Sequence, residues 1–506
     1  MNPDALTALT STYDWAFLWP EIALVGLALV LILVDVLSPA RIRVALAVNV
    51  AIFALLGIFI GLLVHLFTGG LVEAPVHGGA MQPYTLFGGL IGVDTFTQLM
   101  RMFFLLIAIP IGYFGMLYLS RHDLPRVEFL ALICVATAAM MVLVMSRNFL
   151  MLFVALETVT VTFYVLVSYC RYSPFSLEAG LKYVILGGLS SAILLFGIVL
   201  LYAAAGAAAP NALDFSTLAT FITENPDGIL VRMGAVMVLA GLGFKIGAVP
   251  FQVWIPDVYQ GAPTPVTAFL AVGSKAAGFT ILAVLVGGPF EAIGDFLYPP
   301  LAAIACSTIL FGNFTALAQR NIKRLIAMSG IAHAGYLLMG ICAIARGVWW
   351  AEWAVALYLV TYMLGSFCVF AVMAHLSGVR DEVQTLDDYR PLARRDPFVA
   401  GVLTIGLASL AGVPPLAGFI GKLFVFIAAF EANLFTVLGI AAVGVAVSIY
   451  YYFGWIRAAF FPERIEDVPE AESARRLPLA LEHKIALGAL AAGTLVLGIA
   501  QGGWAG

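Results

Sequence analysis

Apolar residues recur from one end of the chain to the other, in runs of about 20 separated by short polar stretches. A run of that length matches an α-helix crossing a hydrocarbon layer, and it is too long and too continuous for a strand of a soluble sheet. Cutting the chain on this criterion predicts about fourteen spans, centred near residues 27, 55, 108, 136, 159, 191, 243, 274, 308, 335, 364, 414, 446 and 494. The expected fold class is therefore an all-α polytopic membrane protein of about fourteen transmembrane helices. No stretch is polar enough to form a separate soluble domain. Asp4 and Asp14, with no basic residues before the first run, argue that this run stays as a span and is not removed.

Composition agrees with the pattern. Of 506 residues, 62% are hydrophobic and 11% charged, against about 25% charged in soluble proteins, and mean hydropathy is +1.04. The formal net charge of −4 leaves no basic face for nucleic acid. Cys134, Cys170, Cys306, Cys342 and Cys368 stand singly, so neither a disulfide framework nor a thiolate metal site is expected. Gly241-Leu242-Gly243 lacks the third glycine of a dinucleotide fingerprint. Around Gly421-Lys422-Leu423 the first glycine and the Ser/Thr of a P-loop are missing, so no nucleotide site is expected.

The 25 Lys and Arg residues test the cut. Loops on one side carry only Arg147, Arg232 and Arg346. Arg41, Arg43, Arg121, Arg126, Arg171, Arg320, Lys323, Arg324, Arg380 and the rest of the loop cations, through Arg464, Arg475 and Arg476 to Lys484, fall on the other. The positive-inside rule then places the basic loops in the cytoplasm and both termini outside.

Five cations remain inside the runs. Arg101 lies near the start of the third and is expected to snorkel to the interface. Lys275 lies about 18 Å along its helix from Pro263, near mid-bilayer, where a charge costs at least about 2.5–3.5 kcal/mol and marks a functional polar path by default. Lys245 is followed by Gly247 and Pro250, and Lys422 is preceded by Gly412, Pro414 and Pro415. These residues predict helix breaks, tolerated in a membrane only where buried in protein or lining a wet cavity. Glu157 is the carboxylate well inside the fifth run and needs a cation, which Lys182 or Lys245 could supply. Lys182 could equally pair with Glu178, four residues earlier on its own helix. His333 lies about 15 Å deep with Ser329 and Tyr336 on the same face, and is either a packing residue or a proton relay. His65, beside Gly57 and Gly61, is read as packing, and His77 falls near a loop. The segments FKIGAVPFQVW and SLAGVPPLAGF repeat a Gly and Val-Pro interruption five helices apart, as in inverted repeats with the working site between them.

The stretch VPFQVWIPDVYQGAPTPVTAFLAVGSKAAGF resembles the signature of the antiporter-like membrane subunits of respiratory complex I, the proton-translocating NADH:quinone oxidoreductase. Its DVYQGAPTPVTAF form is similar to the N branch of that family, where the L and M branches carry an Asp-Ala-His version. WPEIALVGLALVLILVD, NIKRLIAMSGIAHAGYLLMG and SLAGVPPLAGFIGKLFVF extend the resemblance over nearly the whole chain. Gln252 departs from a usual histidine and cannot titrate, and Pro391 departs from a common glycine.

The resemblance implies two inverted five-helix repeats with broken helices 7 and 12. The corresponding division is residues 1–120 (three helices), 121–290 (first repeat), 291–460 (second repeat) and 461–506 (cytoplasmic loop and last helix). It also implies proton-transfer roles for Glu157, Lys182, Lys245, Lys275 and Lys422, and His333, from its depth and its Ser329 and Tyr336 neighbours, joins them as a candidate proton-transfer residue. Burial disfavours a charged lysine and a nearby carboxylate favours it, so opening and closing of the Glu157–Lys245 pair would pass a charge change along the lysines. No cofactor is expected in this chain. NADH, FMN, iron–sulfur clusters and quinone are expected in partner subunits, and neighbouring membrane subunits and lipids are the expected partners. A multi-subunit cation/proton antiporter and a structural spacer are the alternative readings.

Overall fold

The structure is a computed structural model that describes residues 12–39, 43–68, 84–122, 124–206, 211–377, 384–461 and 480–499. Arg41, His77, Arg380, Arg464, Arg475 and Arg476 lie outside these residues, as does most of the expected loop after residue 460. Among the described residues, thirteen helices are long and apolar enough to cross a membrane, from Trp19–Leu37 to Leu481–Ile499. Helices satisfy every backbone group internally, which hydrocarbon requires. The remaining predicted run, near residue 414, is divided between two shorter helices, Pro397–Ala411 and Ala417–Glu431. A small antiparallel ribbon pairs Tyr84–Leu86 with Ile91–Val93, Thr85 opposite Gly92.

Helix starts follow ordinary capping chemistry. The Asn148 side chain accepts from the Leu150 amide at 2.8 Å, Asn321 from Arg324 at 3.1 Å, and Asp396 from Phe398 and Val399. Each satisfies amides that a first turn leaves without intrahelical partners.

Both expected breaks are present. Ile229–Ile246 ends at Gly247, whose φ of 75° is left-handed, and a short turn over Gln252–Trp254 leads into Ile255–Gly261. Pro397–Ala411 ends at Gly412 with φ 86°. Thr264–Val286 is continuous but carries a π-helical turn at Leu270–Ser274, directly before Lys275. Such turns are frequent at functional sites.

The chain divides into two compact units. The first comprises Met1–Tyr172, Gly180–Ile246 and Gly273–Leu297. In it Trp19–Leu37 packs on Val127–Met145 and on Arg43–Thr68. A Cβ at Gly61 would sit 2.8 Å from the Trp19 ring, so this glycine makes room for that indole. The second comprises Ser173–Ala179, Gly247–Val272 and Tyr298–Gly506. There Ile322–Ala345 is enclosed on all sides, and Ala351–Leu376 packs on both halves of the broken span and on Leu481–Ile499.

Arg101 does not snorkel. It is 0% exposed and makes a two-bond ion pair with Glu21, Nε to Oε1 at 2.8 Å and Nη2 to Oε2 at 2.6 Å. It also donates to Gln98 and the Phe17 carbonyl, with the guanidinium 4.6 Å above the Phe17 ring. Burial there is possible because a guanidinium presents its donors as a fork that one carboxylate can fill. Lys323, expected among the loop cations, is likewise buried and donates to the Ala262 carbonyl at 3.0 Å.

Candidate functional site

In the first unit Glu157 and Lys245 come together. Glu157 lies mid-way along Phe149–Val167, and Lys245 occupies the last turn of Ile229–Ile246, ahead of the Gly247 break. The ammonium is 3.6 Å from Glu157 Oε1, with side-chain exposures of 3% and 24%. Nζ donates to Thr160 Oγ1 at 2.7 Å. Thr160 follows Glu157 by three residues, so one helix face presents both acceptors. Thr160 in turn donates a hydrogen bond to the Leu156 carbonyl. Ser191, on Pro174–Ala205, donates to Glu157 Oε1 at 2.5 Å. Lys245 therefore supplies the cation that Glu157 needs, and a serine from the Lys182 helix supplies a neutral donor.

Lys182 itself is half-buried on Pro174–Ala205. Its neighbour Tyr183 is buried and hydrogen-bonded to Ser274, the residue before Lys275. Lys275 is 2% exposed and begins the α-helical part of its span after the π turn. Three residues on, a Cβ at Gly278 would lie 2.7 Å from Ile246 and 3.8 Å from the Lys245 Cβ. That glycine lets the Lys275 helix approach the Lys245 helix closely.

In the second unit Lys422 is buried on Ala417–Glu431. Its Nζ donates to the carbonyls of Leu410 and Ala411 at 2.8 and 2.9 Å. In an unbroken helix those carbonyls would accept from residues 414 and 415. Both are proline and have no N–H, so the ammonium takes the two acceptors that the prolines release. The carbonyl end of a helix also carries partial negative charge, which favours a cation.

Tyr336 connects this lysine to His333. Lys422 Nζ lies 5.4 Å from the Tyr336 ring centre, whose face attracts a cation. The His333 ring is 6.0 Å away on the same helix. His333 is buried, with Nδ1 2.8 Å from Tyr358 Oη and Nε2 3.1 Å from Tyr452 Oη. Ser329 also reaches Tyr452, so the three residues grouped by helix face do belong to one polar cluster.

Sequence reasoning missed Thr160, Ser191, Asn313, Tyr358, Tyr451 and Tyr452. The signal for Asn313 was available: an amide well inside the apolar run TILFGNFTALA needs partners when buried. Tyr451 and Tyr452, in SIYYYFGW, look like ordinary interfacial aromatics. The DVYQGAP motif has a structural use, since Arg324 is 3.1 Å from Asp257 and donates to Gln260 at 2.7 Å. Gln252 is buried, and its Oε1 has no hydrogen-bond partner among the described residues. No group of three or more His, Cys, Asp or Glu positioned to hold a metal occurs among the described residues.

Comparison with known proteins gives one consistent set of relatives. Residues 146–448 match the family described as NADH:quinone oxidoreductase/Mrp antiporter, TM. NADH-quinone oxidoreductase subunit N 1 of Opitutus terrae (strain DSM 11246 / JCM 15787 / PB90-1) is 50% identical over 99% of this chain and 98% of its own length. A chain in respiratory complex I from Thermus thermophilus with bound Aureothin superposes with a TM-score of 0.75 at 31% identity, covering 96% of this chain and 97% of that one. A chain of the Mrp complex from Dietzia sp. DQ12-45-1b shares the fold, with a TM-score of 0.75 at 19% identity over 95% of both chains.

Proposed function

Because the chain belongs to the transmembrane family of NADH:quinone oxidoreductase and Mrp antiporters, as a multi-pass membrane subunit of the subunit N type, we propose that it moves protons through its buried Glu/Lys groups. The observation that carries this reading is the Glu157–Lys245 pair. An ammonium 3% exposed, 3.6 Å from a carboxylate, sits at a helix break in a membrane protein, where charges are retained mainly for function.

Lys245 is the switchable group of the first unit. Held at 3.6 Å, Glu157 favours its charged form, and lengthening of the pair withdraws that support. Thr160 keeps a hydrogen bond on the ammonium throughout, and Ser191 keeps one on the carboxylate. Lys275 and Lys182 are the further proton-transfer groups of that unit. In the second unit His333 and Lys422 hold and release protons, with Tyr336 between them. The two interruptions at Gly247 and Gly412 are the matching breaks of two inverted repeats. The chain resides in a bacterial cytoplasmic membrane, with both termini on the outer side and the basic loops in the cytoplasm. NADH, FMN, iron–sulfur clusters and quinone act in partner subunits. This chain contributes the proton route and no electron carrier.

The test is NADH-driven proton pumping and quinone reduction in membranes carrying Lys245→Ala, with assembly of the complex measured in parallel. The expected result is an assembled complex in which both activities fall together. An assembled complex with both activities at wild-type level overturns the reading and favours a structural spacer. Co-purification with iron–sulfur subunits separates the reading from a cation/proton antiporter.

A further inference from the structure

Two adjacent serines on Pro174–Ala205 tie three helices of the first unit together. Ser190 is buried and donates to the Gly241 carbonyl at 2.9 Å, on the helix that carries Lys245. A Cβ at Gly241 would lie 2.7 Å from Leu194 Cβ, so the two helices approach closely there. Ser191 is buried as well and has two acceptors within reach. One is Glu157 Oε1 at 2.5 Å, and the other is the carbonyl of Gly187 on its own helix at 3.1 Å. The Ser190 bond fixes the level at which Ser191 meets the carboxylate, independently of the Lys245 side chain.

We infer that Ser191 is a positioning residue for Glu157 in both of its protonation states, a two-position hydroxyl that lets Glu157 take and keep the proton of Lys245. A serine hydroxyl carries one hydrogen, so it serves one acceptor at a time. While Glu157 is ionised, that hydrogen points at Oε1, because a bond to a charged acceptor is stronger than one to a neutral carbonyl. Oε1 is also the oxygen that faces Lys245, 3.6 Å from Nζ. A proton passed across that gap breaks an Nζ–H bond and forms an Oε1–H bond. The ammonium becomes an amine, the carboxylate becomes a carboxylic acid, and two buried charges disappear together. A carboxylic acid is a donor, and Ser191 accepts from it once its own hydrogen has turned to the Gly187 carbonyl. Neither state leaves the serine hydrogen without an acceptor, the loss that makes a buried polar group costly.

Thr160 has no such freedom. Its oxygen accepts from Lys245 at 2.7 Å, and its hydrogen goes to the Leu156 carbonyl at 2.8 Å. It accepts from an amine as it does from an ammonium, so it does not change with the transfer. Titratable groups that act on Glu157 are Lys245, Tyr164 on the same helix and Tyr183 on the serine helix. Of these, Lys245 is the one that carries charge at neutral pH. The Gly187 carbonyl cannot pass a proton on, which makes Ser191 a latch for the proton on Glu157 and not a conduit. The transfer from Lys245 rests on the function proposed above, whereas the turning of the hydroxyl when Glu157 is protonated does not.

The test is infrared difference spectroscopy of the assembled complex on acidification. Glu157→Gln serves as the subtraction blank and isolates the C=O stretch of protonated Glu157. That band should be present in the wild type, move in frequency in Ser191→Ala, and return to its place in Ser191→Thr, which keeps the hydroxyl. A wild type without the band at every pH at which the complex stays assembled, or a band that Ser191→Ala leaves in place, overturns the inference. NADH-driven pumping is read separately. Ser191→Ala should assemble and lose most of its pumping, and Ser191→Thr should recover it. A moved band with wild-type pumping in Ser191→Ala overturns the transfer step. Wild-type pumping in Lys245→Ala overturns the proton route itself and leaves the two-position hydroxyl to stand on the band.

Discussion

Replacing Glu21 should loosen the first unit as much as truncating a large apolar side chain in its core. The carboxylate meets Arg101 through two bonds, at 2.8 and 2.6 Å, and Arg101 is 0% exposed. In Glu21→Ala the guanidinium keeps Gln98 and the Phe17 carbonyl but loses its counter-charge. Removing one partner of a buried pair costs about 3–5 kcal/mol, because the remaining charge is left uncompensated. Glu21→Gln, which keeps an acceptor without the charge, should cost roughly 1.5–3 kcal/mol, the scale of a hydrogen bond to a charged group. Glu21→Leu combined with Arg101→Met removes both charges, and well-packed apolar replacement of such a pair is often neutral. The assay is the temperature at which half of the assembled complex has released this subunit. The expected order of that temperature is wild type and double variant together, then Glu21→Gln, then Glu21→Ala. A Glu21→Ala complex as heat-resistant as wild type, or a double variant as labile as Glu21→Ala, would refute the reasoning.

Two further predictions concern the second unit. Gly412 has φ 86°, and a Cβ there would lie 2.9 Å from Lys422 Cδ and 3.2 Å from Nζ. Gly412→Ala should therefore cost about 1–2 kcal/mol in backbone strain and displace the ammonium. A fluorescent ΔpH probe should report a larger loss of NADH-driven pumping than in Gly401→Ala, where nothing lies within 4 Å. At the other end, the Arg324–Asp257 pair is about one-third exposed on both sides, and such pairs contribute about 0–1 kcal/mol. Arg324→Gln should therefore barely change the subunit-release temperature. Lys323→Met, which removes a buried donor from the Ala262 carbonyl, should lower it clearly. The reverse order would sink the argument.

The spans and both breaks were legible because their causes are local: runs of apolar residues, glycines at left-handed positions and prolines without an N–H. Lys245 and Lys422 were legible because a charge in an apolar run is conspicuous wherever its partner lies. What the chain could not disclose was pairing across distance. Arg101 was read as snorkelling because its position near a run's end is where snorkelling residues occur, and its partner Glu21 is 80 residues earlier. Both candidate helices reach Glu157, the Lys182 helix through Ser191 and the other through Lys245, so the choice of lysine depends on the level at which each side chain meets the carboxylate, which no spacing encodes. Tyr358, Tyr451 and Tyr452 were lost for another reason: they reach the His333 cluster from two other helices, yet each alone is an unremarkable aromatic in an apolar run.

Breaks and lysines occur together for a physical reason. Interrupting a helix in hydrocarbon exposes carbonyls with no water to satisfy them, at several kcal/mol each, and a buried ammonium incurs its own penalty. At Pro414-Pro415 each defect offsets the other, since Lys422 binds the carbonyls of Leu410 and Ala411 that the prolines strand. The acceptors there are backbone atoms, fixed by the fold. Lys245 instead rests on side chains, Thr160 and Glu157, which a small helix movement or a change of rotamer can withdraw. The two lysines are therefore unequal: Lys422 is held by a rigid pair of dipoles, and Lys245 by a carboxylate whose distance can vary. A proton route that must be switched needs the second kind of holder. On the function proposed above, Glu157 is thus the residue through which a movement elsewhere in the assembled complex would act on this chain.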